Sequence, residues 1–192
     1  MSSRLPRHFF AHPTLTVARA LLGQRLVCAA TGARVAGLIC ETEAYIGRDD
    51  LACHARKGHT ARNASMFGPP GHAYVYFIYG AHWMLNCVTE AEGFPAAVLI
   101  RAVIPVEGLD LMQQRRKQTS GALANGPAKL TQAFGLDRRW DGHDLCARAA
   151  TLFIEAAPPV PAARVSTGPR VGLGQTPEPW LSKKWNFQIS KL

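Results

Sequence analysis

The run HAYVYFIYGAHWMLNCVTEAEGFPAAVLIRAVIP, His72 to Pro105, decides the fold. HAYVYFIYG, HWMLNCVTE and AAVLIRAVIP are built from aromatic and β-branched residues, the types that fit a pleated, half-buried surface. They read as three consecutive antiparallel strands, with Tyr79-Gly80 at the tip of the first hairpin. The middle of the chain is therefore mainly sheet. Upstream, Gln24–Cys28 and Arg34–Tyr45 read as two more strands joined around Thr31-Gly32. Before them, Leu15, Ala18, Leu21 and Leu22 recur at helical spacing from a start near Pro13 or Thr14, and Gly23 is placed to stop the helix.

Between the strands lies the polar, basic, Gly/Pro-punctuated stretch from Ile46 to Gly71. It is long for a structureless connection, and such loops are commonly functional. Downstream, Glu107–Lys117 reads as a helix that buries Leu109, Leu111 and Met112. The Ser/Gly/Ala/Asn stretch Gln118–Asn125 reads as mobile. Gly126-Pro127 then opens a short helix over Ala128–Phe134 that Gly135 closes. Pro158–Pro169 reads as a surface loop, and Lys184–Ile189 as a final strand.

With 192 residues and no internal repeat or linker, the chain reads as one domain spanning residues 1–192. A composition 47% hydrophobic and 18% charged is that of a globular protein. No apolar run approaches the roughly 18 to 20 residues that span a bilayer, and MSSRLPRHFF lacks the apolar core of a secretory signal. A cytoplasmic location and no membrane partner are expected. The five cysteines, an odd number without a C-x-x-C pair, fit reduced thiols. A formal charge of +9 and a pI near 9.8 point to a polyanionic partner.

Three groups of residues can carry chemistry. Glu41, Glu43 and Tyr45 follow the apolar run VAGLIC and share one face of a strand. They fit a solvated strand end as well as a half-buried general base. Tyr74 and Tyr76 point to one face of their strand and leave Val75, Phe77 and Ile78 for the core, while Tyr79 stands at the hairpin tip. Such rings can sandwich an unstacked base, and a tip side chain can wedge into a base stack. Arg101 follows the apolar Ala97–Ile100, where an unpaired guanidinium is costly, so it requires an acidic or phosphate partner. Asn86 could read a base edge through its amide. Arg56, Lys57, Arg62, Arg115, Arg116, Lys117, Lys129, Arg138, Arg139, Lys183 and Lys184 are candidates for phosphate contacts. Cys53, His54, His59 and His72 have no recognised metal-ligand spacing, and no phosphate-binding glycine loop is present. Neither a metal nor any other cofactor is expected.

Seven ordered motifs then combine: ETEAY (Glu41–Tyr45), His54, RNASMF (Arg62–Phe67), PGHAYVYFIYG (Pro70–Gly80), Leu85-Asn86, VLIRAVIPVEG (Val98–Gly108) and GPAKL (Gly126–Leu130). On these the chain resembles the alkyladenine DNA glycosylase family, also called 3-methyladenine or methylpurine DNA glycosylases. The resemblance covers nearly the whole sequence. It implies an α+β fold, a single compact domain with a curved, mainly antiparallel, open-barrel-like sheet and peripheral helices. It also implies monofunctional removal of damaged purines from double-stranded DNA by a monomer. In that family the glutamate aligned with Glu43 deprotonates the attacking water and the arginine aligned with Arg101 helps hold it. Tyr45 and His54 would stack on one side of the flipped base and Tyr76 on the other. Asn86 would disfavour guanine, Tyr79 would fill the gap in the duplex, and Glu41 has no assigned role. Two other classes fit parts of the pattern: a glycoside hydrolase with Glu41 and Glu43 as its carboxylate pair, and a base-stacking nucleic-acid-binding module.

Overall fold

The computed structural model describes residues 3–30, 32–118 and 122–190. Its elements run α1 (Arg7–Phe10), α2 (Thr14–Ala20), β1 (Arg25–Cys28), β2 (Val35–Ile46), β3 (Ala73–Ile78), β4 (His82–Val88), β5 (Ala96–Glu107), α3 (Leu109–Arg116), α4 (Pro127–Phe134), β6 (Leu152–Glu155), β7 (Val165–Gly168) and β8 (Asn186–Ile189). Short 3₁₀ turns at His54–Lys57 and Ala64–Phe67 organise the long loop after β2. The architecture is the expected α+β domain around a curled antiparallel sheet. Among the described residues no helix is long and apolar enough to cross a membrane.

Eight strands form the sheet, in the order β3-β4-β5-β2-β1-β6, with β8 pairing β2 and β7 pairing β8. The long strand β2 is its fork. One side pairs with β5 along most of its length, whereas the other is shared, with Val35–Leu38 on β1 and Glu41–Glu43 on β8. Two single-residue bulges sit at the fork. Ile39 faces Val103 and Glu41 faces Ala102, so Cys40 has no partner across the ladder; Thr42 faces Ile100, so Arg101 has none either. An extra residue bends a strand and re-aims its side chains. Here the two opposed bulges bring Arg101 beside the acidic end of β2.

The helices cover one face of the sheet. Val17 and Ala18 of α2, Met112 of α3, and Leu130, Ala133 and Phe134 of α4 join Ile39, Leu85, Val98, Ile100 and Val103 in a single buried cluster. Truncating one of the large members to alanine would cost about 2 to 5 kcal/mol. A second, smaller cluster of Cys53, Ala55, Met66, Tyr74, Val88 and Ala97 has Tyr45, Phe67 and Tyr76 half-buried against it.

Several expectations change. Leu109 is 45% exposed while Met112 is fully buried, because α3 has only eight residues and leaves a left-handed Gly108 with its first turn over solvent. Phe77 is exposed rather than in the core; the β3–β4 hairpin projects past the packed layer, and Phe77 stacks on Trp83 with ring centroids 4.8 Å apart. Within the stretch read as mobile, residues 119–121 lie outside the described residues. Leu123 and Ala124 are buried, and the Ala124 carbonyl accepts from Val103 N–H at 3.1 Å. The Pro158–Pro169 loop contains β7. Thr31 lies outside the described residues, although β1 and β2 pair as expected up to Cys28 and Val35.

Candidate active site

The bulges and the β2–β8 pairing place two carboxylates, a guanidinium and an amide together. Glu43 is fully buried. Its Oε2 accepts from the Tyr45 hydroxyl at 2.8 Å and from Arg101 Nη1 at 3.4 Å. Its Oε1 accepts from Val171 N–H at 2.6 Å and from Asn186 Nδ2 at 3.1 Å. Glu41 accepts from Arg101 Nε at 2.8 Å, Asn186 Nδ2 at 2.9 Å and Gln188 Nε2 at 3.2 Å. The acidic partner that Arg101 required is thus a pair of glutamates, and Glu41 acquires a role as the anchor of Arg101. Burial works against the Arg101 charge, but the Glu43 and Glu41 carboxylates outweigh it and raise its pKa further. A carboxylate held by so many donors is fixed in direction.

Above this floor opens a cavity of about 610 Å³, lined among others by Tyr45, His54, Tyr76, Tyr79, Asn86 and Arg101. Tyr45 stays protonated, because burial and then the Glu43 carboxylate push its phenol well above the ordinary 10. Tyr76 is pushed up to about 12, by burial first and Glu43 second. Both therefore present neutral aromatic faces at physiological pH. His54 is also neutral, since partial desolvation among its neighbours lowers its pKa and Arg62 and Arg56 lower it further. Its Nδ1 shares a hydrogen bond with the Tyr74 hydroxyl at 2.8 Å.

The placement of His54 departs from what the resemblance implies. Its ring meets Tyr76 edge to face with centroids 4.5 Å apart, which leaves no gap for a planar ring between them. His54 and Tyr76 pack as one unit in the cavity lining, to which Tyr45 also contributes. Asn86 is buried, and its Nδ2 donates to the Tyr74 carbonyl at 3.0 Å, which fixes the amide at the cavity surface. Tyr79 is 81% exposed with a left-handed φ of 54°, followed by Gly80 at φ 65°. A tyrosine held in that conformation carries about 1 to 2 kcal/mol of backbone strain.

Of the basic candidates, Arg56, Lys57 and Arg62 line the cavity. Arg115 donates to the Ala133 carbonyl at 3.2 Å, Arg139 pairs with Asp137, and Lys183 lies over Trp180 and Trp185. His72, grouped by sequence with the tyrosines, instead contacts Arg7 at 3.0 Å outside the cavity. Sequence reasoning missed Asn186 and the Val171 N–H. Asn186 carries one signal, an amide between the aromatic Trp185 and Phe187, and it points nowhere until β8 is known to pair with β2.

A family model described as methylpurine-DNA glycosylase matches residues 8–191. A protein of Methanocella arvoryzae, named for a proposed 3-methyladenine DNA glycosylase activity, is 49% identical over 185 residues, 95% of this chain and 90% of the relative. A Chlorobaculum parvum protein of the same name is 47% identical over 92% of this chain and 85% of its own. A third from Myxococcus xanthus is 50% identical over 88% and 81% respectively.

Proposed function

The chain belongs to the methylpurine-DNA glycosylase family, and from that premise we propose that it acts as one glycosylase domain, a monomer on duplex DNA, which flips a damaged purine into the slot and hydrolyses its N-glycosidic bond. The observation that carries this reading is a fully buried glutamate fixed by four donors beneath a slot walled by tyrosine. A binding module has no use for such a carboxylate. A sugar hydrolase has no use for the charge of +9, and its two carboxylates would not both be tied to one arginine.

The purine stacks between Tyr45 on one side and His54 with Tyr76 on the other, each stack worth about 1 to 3 kcal/mol. That offsets the few kcal/mol needed to extrude a base, a cost smallest for a damaged one. Tyr79 occupies the gap left in the duplex, and Arg56, Lys57 and Arg62 meet the backbone phosphates around the cavity. Glu43 takes a proton from a water whose oxygen bonds to the anomeric carbon as the bond to the purine nitrogen breaks. Arg101 steers the carboxylate. A purine alkylated at N3 or N7 carries positive charge, so it departs neutral with little acid assistance. Deaminated and etheno purines such as hypoxanthine depart less readily. The fixed Asn86 amide disfavours guanine by crowding its exocyclic amino group. The products are the free base and an abasic site. Among the described residues no lysine bonds to Glu41, Glu43 or Arg101 at the floor as an amine nucleophile would, so the strand is left uncut.

Single-turnover base release from duplexes carrying one 7-methylguanine or hypoxanthine tests the reading. Wild type releases base, and Glu43→Gln loses at least about 10²-fold to 10⁴-fold in rate while keeping its affinity for lesion DNA. Release by Glu43→Gln at the wild-type rate removes Glu43 from the mechanism.

A further inference from the structure

Arg170 and Asp50 form a fully buried ion pair that none of the roles above uses. Arg170 Nη1 meets Asp50 Oδ2 at 2.5 Å and Nη2 meets Oδ1 at 2.9 Å. Nη1 also donates to the Ala44 carbonyl at 3.0 Å, between Glu43 and Tyr45, and Nη2 reaches the Trp180 carbonyl at 3.4 Å. Asp50 in turn accepts from the backbone N–H groups of Ile46 at 3.2 Å and Ala52 at 3.0 Å. Three segments therefore converge on one guanidinium: the end of β2, the loop after it, and the stretch between β7 and β8.

Two of its contacts bear on the chemistry. The guanidinium lies over the Tyr45 ring at 4.8 Å from the centroid and over Trp185 at 4.9 Å, within reach of a cation–π attraction. It backs Tyr45 from outside the cavity, since Arg170 is not among the lining residues. The next residue, Val171, supplies the N–H that bonds Glu43 Oε1 at 2.6 Å. A buried ion pair is a weak source of stability, because apolar residues of similar volume commonly serve as well. Geometry is what this one supplies.

We propose that Arg170, clamped by Asp50, is a positioning residue that sets the Tyr45 ring and the Glu43 carboxylate in one register, so that stacking of the flipped purine and activation of the water depend on the same buried guanidinium. This rests on the reading of Glu43 as the base and Tyr45 as a stacking wall. Displacing Arg170 moves the Val171 amide off Oε1 and removes the backing of Tyr45, whose hydroxyl is a second donor to Glu43.

The test compares wild type, Arg170→Lys and the double variant Asp50→Leu/Arg170→Met in single-turnover release of 7-methylguanine from a duplex at saturating enzyme. Rate constant and amplitude are read separately, with thermal melts alongside. A purely structural role lowers the amplitude, which counts folded molecules, and leaves the rate constant unchanged. Positioning lowers the rate constant at full amplitude. The double variant is expected to lose about 10²-fold in rate constant, the scale of an ångström-level misplacement. Arg170→Lys keeps the charge but not the two-pronged geometry, and is expected to lose less, about tenfold. Should the double variant melt below the assay temperature, Arg170→Lys decides. Folded variants with wild-type rate constants overturn the inference. A wild type that releases no base overturns the functional reading and this inference with it, whereas a working wild type beside equally fast variants overturns this inference alone.

Discussion

The floor of the cavity and the hairpin tip above it are built on opposite plans. At the floor, Glu43 has no exposed surface and its two oxygens accept from donors in four different parts of the chain. At the tip, Tyr79 is 81% exposed and held at φ 54°. The floor is over-determined, which suits the proposed role of a group that acts on one atom in one direction. The tip is under-determined, and on the proposed reading its ring is covered by the duplex. Chemistry and DNA engagement should therefore fail separately when each region is altered.

The largest separation is expected from Glu41→Gln. Glu41 is not itself among the residues lining the slot, yet it holds the lining Arg101 by Nε at 2.8 Å while Arg101 Nη1 reaches Glu43 at 3.4 Å. Removing that charge frees the guanidinium, and base release should slow by about 10²-fold with affinity for undamaged duplex unchanged. A release rate equal to wild type would show that Glu43 does not need Arg101 held in place.

Tyr79→Gly sharpens the contrast from the other side. Loss of the ring should weaken lesion binding by about tenfold, the lower part of the range for one stacking contact, and leave the single-turnover rate at saturating enzyme nearly intact. The same change relieves the left-handed tyrosine, so unfolding in denaturant should show a gain of about 1 kcal/mol. A variant both weaker in binding and less stable would mean that Tyr79 packs on the hairpin rather than waits for DNA.

The smallest effect concerns the wall between the two regions. Partial desolvation, with Arg62 and Arg56 beside it, lowers the His54 pKa below its ordinary 6.5, so the unfolded chain binds its proton more readily than the native one. Stability should accordingly rise as pH climbs from the lowered native value to 6.5, and level off above it. His143 is lowered by burial in the same direction. Comparing wild type with His54→Gln in melts across this window isolates the His54 share, and identical slopes would place the ring in an environment far wetter than the slot.

Much of this was legible in advance where local pattern and tertiary packing agree. Helix α2 carries its apolar spacing and its Gly23 stop openly, and β3, β4 and β5 are apolar and β-branched enough to read as strands. Four-residue β6 and β7 escaped, the first because a short apolar run has no periodicity, the second because its residues are largely exposed at the sheet margin. Motif order singled out Glu43, Tyr45, His54, Tyr76, Tyr79, Asn86 and Arg101, and all seven line the cavity or, for Glu43, lie at its floor.

Residue types and their order determined the family, the central antiparallel sheet, the basic charge and the set of side chains available for chemistry, because these depend only on what each residue is and on its near neighbours. Tertiary structure alone decided that His54 joins Tyr76, that Glu41 serves Arg101, that Asn186 and Val171 converge on the Glu43 carboxylate, and that Arg170 is pinned to Asp50 beside it. Two single-residue bulges and the pairing of β8 with the far half of β2 create those contacts. Register between strands more than a hundred residues apart is set by packing of the whole sheet, which no local pattern encodes.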